Sequence, residues 1–382
     1  MTYQVHESDL DAIALGGAFL GTGGGGDPYI GKLMARQAIA KHGPVTVISG
    51  DDIADDALCV PVFMMGAPTV MLEKLPSGDE VLKALSELEA FLGKKADALI
   101  CVEAGGLNST IPFMVAAVTG LPLIDGDGMG RAFPELQMVS FTIHGIAASP
   151  MVVADDKGNS ALMSTVSNLW TERLARVVAV QMGGAALVAA FPMTGAQMKT
   201  ALLHGTMTTI RDIGNTILSE RKASRHPGAA LRAMTGGMHL FTGRVVDVER
   251  ATTGGFARGK LTLRGIDAFA GQDFLIHFQN EFLLAETATC EAVCMTPDLI
   301  CALDADLGLP VTTEQMRYGI TVEFSALPAD PQWHTPAGLA LAGPRYFGYE
   351  HEFRPFDTGA KPEAAGITQP NSHASHNSKS TG

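Results

Sequence analysis

The sequence predicts an α/β N-terminal domain, with a mainly parallel sheet covered by helices, joined to a β-rich α+β C-terminal domain. Three observations carry this. Between residues 44 and 125 short apolar runs alternate with amphipathic segments, the pattern of strands joined by helical crossovers. From about Met238 the chain is strand-rich, with alternation at every second residue in GRVVDVER and GKLTLRG. A chain of 382 residues, 46% of them apolar, can fill two cores. The expected units are 1–165, 166–357 and a tail, 358–382, which is rich in Ser, Asn, Gly and Pro and too poor in apolar residues to order itself.

The elements follow in order. Ser8 to Leu20 reads as a helix, with Ser8 and Asp11 as a weak capping signal and Ile13, Leu15, Phe19 and Leu20 on one face. GTGGGGDP (21–28) breaks it, and Asp27-Pro28 suits the start of a second helix to about Lys41. PVTVIS (44–49) and ALCVPVFMM (57–65) read as strands. Residues 77–93 form an amphipathic helix, with Val81, Leu85, Leu88 and Leu92 on one side. ADALICVEA (96–104) is a buried strand, Ser109 to Thr119 a helix, and LPLID (121–125) a strand. Helices are expected around Ser167–Met182 and Gly205–Ala223.

Composition removes several classes of function. A net charge of −13 without a basic stripe argues against nucleic acid and against anionic membrane surfaces. No apolar run of about 18 residues lacks breakers, so no spanning helix is expected. The start, MTYQVHESDLD, lacks the basic and apolar stretches of a secretory signal. Five cysteines without a CxxC pair suggest neither a disulfide framework nor a zinc knuckle. The expectation is a cytoplasmic enzyme acting on a small molecule, with homo-oligomerisation assumed on general frequency alone.

Four loops could carry chemistry, three of them following the predicted strands. In open parallel sheets ligands bind beyond the carboxyl ends of strands. In GTGGGGDP, Gly23, Gly24 and Gly25 would let backbone N–H groups approach an anion beside a helix start, with Asp27 next to them. A tight turn is the plainer reading. No GK[ST] follows, and a helix rather than a strand precedes, so neither a phosphate loop nor a dinucleotide fingerprint is present and no nucleotide cofactor is expected. MGAPTVMLEK (65–74) offers Glu73 and Lys74, a base or substrate clamp on one reading and a solvated pair on the other. VEAGGLNST (102–110) brings Glu103 to the end of an apolar strand and adds Asn108, a donor and acceptor or a helix cap. IDGDGMGRAFPE (124–135) pairs Asp125 with Asp127 and adds Arg131. Such carboxylates can share a proton, activate water or hold a hard cation. The loop does not continue as a calcium-binding hand, and neither HExxH nor GxSxG occurs.

GTGGGGDPYIGKL, MGAPTVMLEK, VEAGGLN and DGDGMGRAFPELQM, in that order, together with TGRVVDVER, GQDFLIHFQNEFLLAE, TPDLICALDADLGLPV, RYGITVEF and GPRYFGYEHEFRPF, resemble the S-methyl thiohydantoin desulfurase family over residues 7 to 357. The resemblance implies hydrolysis of an S-methylated thiohydantoin to a hydantoin with release of methanethiol. A non-catalytic accessory subunit of a hydantoinase- or oxoprolinase-type system is the alternative. In this reading Glu103, Asp125 and Asp127 are the candidates for acid and base, and Arg131 or Lys74 anchors a substrate carboxylate. The glycine loop supplies backbone donors. A divalent metal such as zinc on Asp125, Asp127 and a remote histidine stays open, as does a nucleophilic Cys101; the metal is left unassigned. The glycine loop and the 103–135 loops are expected to form two halves of one site for a small anionic heterocycle.

Overall fold

The structure is a computed structural model that describes residues 2–66, 77–253 and 256–356. Its first sheet contains β1 (Tyr3–Val5), β2 (Val45–Ile48), β3 (Leu58–Gly66), β4 (Ala98–Cys101) and β5 (Leu123–Ile124). A short β6 (Gly126–Asp127) follows, then β7 (Met151–Ala154), β8 (Ser160–Met163), β9 (Ala185–Ala189) and β10 (Met193–Thr194). The order is β1-β2-β5-β4-β3-β9-β7-β8, with β10 also against β3. The centre, β2-β5-β4-β3, is parallel. Its strands are apolar on both faces because helices cover both sides. The flanks, β1 and β9-β7-β8, pair antiparallel.

The second sheet is antiparallel throughout. It is built from β12 (Met238–Thr253), β13 (Phe256–Gly265), β14 (Asp273–Gln279), β15 (Glu281–Thr287), β16 (Ala292–Met295), β17 (Leu299–Asp304) and β18 (Thr321–Leu327), after β11 (Leu203–His204) has paired with β6. The order is β16-β15-β14-β13-β12-β18-β17, and its ends approach each other so that the sheet curls into a half-barrel. A phenylalanine-rich interior fills it, with Phe241 stacked on Phe274 at 4.6 Å.

The predicted strands and helices from residue 10 to 125 are present, with ends shifted by up to three residues. Among the described residues no helix is long and apolar enough to cross a membrane. After residue 165 the chain returns to the first sheet before it forms the second. Its strand β9 inserts beside β3, and the helices Asn168–Gln181 and Thr206–Lys222 contribute Ala175, Ala179, Ile210 and Ile213 to the first core. The sequence GGAALVAAFPM is apolar enough to be buried on both faces, and an antiparallel strand pair needs no covering crossover of its own. Glu73, Lys74 and the tail 358–382 lie outside the described residues.

Candidate functional site

The loops after β4 and β5 meet the glycine loop and the start of β15. β4 ends at Cys101, so the chain leaves the sheet just before Glu103. The next turn is short and packed. Asn108 returns to the neighbouring strand, accepting from the Met64 N–H at 2.7 Å and donating to the Met64 carbonyl at 3.1 Å. The same amide donates to Glu103 Oε1 at 2.6 Å. Asn108 therefore fixes the Glu103 carboxyl against β3, rather than capping a helix.

The glycine loop lies against this turn. The Gly25 carbonyl accepts from Leu107 N–H at 2.9 Å. Gly106, at φ +56°, leaves no space for a side chain, because a Cβ there would stand 2.3 Å from the Gly25 carbonyl carbon. On its other side the loop binds the second sheet: Phe282 N–H donates to the Thr22 carbonyl at 2.7 Å, and Thr313 N–H to the Gly23 carbonyl at 2.7 Å. The expected convergence of the two halves is thus present, and a third participant joins them. Glu281, the first residue of β15, accepts weakly from Gly25 N–H at 3.3 Å through Oε1. Its Oε2 is buried without a hydrogen-bond partner among the described residues.

Gly24 is where this contact demands glycine. A Cβ at Gly24 would lie 2.0 Å from Glu281 Oε1 and 2.5 Å from its Cγ. Gly24→Ala is expected to destabilise by about 1–3 kcal/mol through overpacking. Glu281→Ala in the same chain removes the obstructing atoms, so the double variant should cost less than the sum of the singles in urea unfolding. Strict additivity would show that the two residues do not interact.

Glu103 and Glu281 line one cleft between the two sheets, together with Gly25, Met64, Phe133 and Arg176. The open space within it is narrow, about 80 Å³. Both carboxyls are almost fully buried. Burial raises Glu103 to about 8, against the stabilising hydrogen bond from Asn108, and the charge of Asp127 adds to the rise. Burial holds Glu281 well above the carboxylate range, and the charge of Glu103 raises it further. Near neutral pH both carboxyls favour the protonated form, and Glu103 is the first to ionise as pH rises.

The other expected site residues take structural posts. Asp127 is fully buried, and its Oδ2 accepts from the N–H groups of Ala104, Met129 and Gly130 at 2.6, 3.1 and 2.8 Å. Burial raises it to about 7 despite these donors. It does not line the cleft; it ties the turn carrying Glu103 to the 129–130 loop. Asp125 faces away and accepts from the Thr208 N–H and hydroxyl at 2.9 and 2.6 Å, capping the helix Thr206–Lys222. Its expected pairing with Asp127 fails because the chain bends at Asp125, between β5 and β6, and the two carboxylates serve different elements.

Arg131 is corrected most firmly. It is fully buried and its five N–H bonds are all engaged. Nε donates to the Ala132 carbonyl, Nη1 to those of Pro297 and Asp298, and Nη2 to Thr22 Oγ1 and the Phe282 carbonyl, at 2.7–3.3 Å. No donor is left for a substrate carboxylate, and the guanidinium lies on the Phe133 ring at 4.5 Å. Asp27 is exposed and accepts from Tyr29 N–H at 2.9 Å, starting the helix Tyr29–His42. The Cys101 thiol donates to the Glu103 carbonyl at 2.8 Å, and burial holds its pKa well above the ordinary thiol value, which opposes a nucleophile. Among the described residues no group of three or more His, Cys, Asp or Glu is placed to hold a metal ion, so the Asp125–Asp127 set does not fit zinc.

Sequence reasoning missed Glu281, and with it Glu172 and Arg176. The latter two form an ion pair at the cleft wall, where Glu172 accepts from Leu136 N–H at 3.0 Å and Arg176 donates to the Pro134 carbonyl at 3.2 Å. A signal for Glu281 existed in QNEFLLAE, an ionisable residue opening an apolar strand after Asn280 at φ +58°.

Family models describe the same two halves. The S-Me-THD-like N-terminal domain matches residues 8–165 and the S-Me-THD-like C-terminal domain residues 166–356. A crystal structure of a protein from Chromobacterium violaceum shares the fold, with a TM-score of 0.75 at 24% identity over 93% of this chain and 100% of that one. No curated protein matches. With both halves matched in order, the chain belongs to the S-Me-THD-like family, the S-methyl thiohydantoin desulfurase family that its motifs resemble.

Proposed function

We propose that the protein hydrolyses the carbon–sulfur bond of an S-methylated, five-membered thiohydantoin ring, releasing methanethiol and leaving a hydantoin. One observation carries the reading: two buried carboxyls, Glu103 and Glu281, from different sheets, line one cleft. Burial raises both, so as pH rises past neutrality Glu103 ionises while Glu281 still holds its proton, which gives one base and one acid for catalysis in one step.

The roles follow from the environments. Glu103 is the more acidic of the two, because Asn108 donates to it; it is the base. Glu281 keeps its proton and is the acid. Glu103 takes a proton from water as the water oxygen bonds to the carbon bearing the methylthio group. Glu281 gives its proton to the ring nitrogen of the C=N bond. The carbon–sulfur bond then breaks with the electron pair on sulfur, which takes the proton from Glu103. The remaining hydroxyl gives its proton to Glu281 as the carbonyl forms. Water is consumed, methanethiol leaves, and the pair regains its starting protonation.

Thiol release from an S-methyl thiohydantoin by the purified protein tests this directly. Glu281→Gln should lower turnover about 10²–10⁴-fold, the usual contribution of a positioned acid or base, without unfolding the chain. Wild-type kcat/KM should rise with pH towards an apparent value near 8, because the base must lose its proton and Glu103 does so at about 8. It should fall again at higher pH as Glu281 ionises, and both limbs belong to the pair rather than to one residue. A panel of S-methyl thiohydantoins and hydantoins yielding neither thiol nor ring opening would remove the enzymatic reading in favour of a binding role.

A further inference from the structure

The helix Asn168–Gln181 is turned over relative to its own pattern. Its buried positions are Thr171, Glu172, Ala175 and Ala179, whereas its large apolar side chains face outward. Leu169 is 38% exposed, Trp170 47%, Leu174 45%, Val177 62% and Val180 60%, and Val166 just ahead of the helix is 90% exposed. At steps of three and four residues these six form one stripe along the outer face. Together they expose on the order of 500 Å² of apolar surface, which sits at the upper end of what a monomer usually leaves bare.

We propose that a second copy of this chain covers this stripe, forming a two-fold dimer across the helix. Three observations favour a copy over a different partner. The first is area: a standard interface buries about 800 Å² per partner, a little over half of it apolar, which this stripe alone supplies. The second is charge. Glu172 and Arg176 of this helix pair with each other on the inner side, and Arg173 on the outer side lies over Trp170 at 5.4 Å. The stripe therefore presents little charge with which to select an oppositely charged partner. The third is shape. A groove runs beside the ridge, between Leu169, Val177 and Val180 on the helix and Phe256 and Tyr346 on the second half of the chain, with about 660 Å³ of space. A ridge with a groove next to it fits its own image after a two-fold rotation, and such a contact closes on itself. The groove shares Glu135, Glu172 and Arg176 with the catalytic cleft, so the partner covers one side of the cleft mouth.

The test uses the full chain. Sedimentation and light scattering across micromolar concentrations should give twice the 40.0 kDa mass of the chain. Val177→Asp, and separately Val180→Lys, should each raise the dissociation constant at least 100-fold while far-ultraviolet dichroism stays unchanged, since both side chains are already about three-fifths exposed. Tyr318→Asp, exposed elsewhere, should leave the dimer intact. A wild-type chain that stays monomeric at 100 µM, or a dimer that survives both helix substitutions, would overturn the proposal. So would saturable binding of a different protein to the stripe by a monomeric wild-type chain.

Discussion

Glu103→Gln is expected to lower thiol release about 10³-fold and, above neutral pH, to make the protein more stable. The two effects have one cause. Glu103 is buried and titrates at about 8 rather than at its ordinary 4.5. The fold therefore prefers its neutral form. Stability from that preference is complete below pH 4.5 and is lost as pH rises from there to about 8. The gap corresponds to about 4–5 kcal/mol if all of it reflects the folded state, with about 1.4 kcal/mol for each tenfold. Glutamine keeps an oxygen that can accept from Asn108 Nδ2 and carries no charge to bury. In urea unfolding the variant should match the wild type near pH 4.5 and exceed it by several kcal/mol at pH 9. A difference that does not change with pH would mean that Glu103 ionises as freely in the fold as outside it. The base assigned above would then have no reason to hold a proton at neutral pH. Activity and stability are opposed at this residue, as is common where a site requires a charge in an apolar place.

How far the sequence reveals this depends on the range of the interactions. The helix Asp79–Leu92 and the strands from Val45 to Ile124 follow from local periodicity, since each buries a face that its own spacing defines. Glu103 was legible for the same reason: a carboxylate closing an apolar strand must emerge at the sheet's carboxyl edge. Glu281 was not, because its contact with Gly25 spans 256 residues. The role of Arg131 was hidden in the same way. An arginine beside DGDG reads as a ligand-binding group until its donors are seen to end on Thr22, Phe282, Pro297 and Asp298. The helix Asn168–Gln181 shows a further limit. Its periodicity is correct, yet the apolar face points outward, because periodicity identifies a face to be covered and not what covers it.

Arg131 gives the prediction that separates the sequence reading from the structural one. A guanidinium that anchored a substrate carboxylate could be replaced by lysine at the expense of KM, leaving stability alone. A guanidinium that joins the two halves of the chain cannot. Lysine has three donors on a flexible stem and cannot reproduce a fork that reaches five acceptors. At least two buried acceptors would then lose their partner, at about 1–3 kcal/mol each. Arg131→Lys is therefore expected to destabilise by about 3–5 kcal/mol, and Arg131→Leu by more. The partners at Phe282, Pro297 and Asp298 belong to the second half, while Ala132 and Thr22 belong to the first. Loss of the fork should thus loosen the halves before it unfolds either. Fluorescence and far-ultraviolet dichroism would report separate transitions where the wild type shows coincident ones. Protease should cut first in the segments that connect the halves. A lysine variant with wild-type unfolding and a raised KM would restore Arg131 to the substrate and leave the interface to be explained by the contacts of Thr313 and Phe282 with the glycine loop.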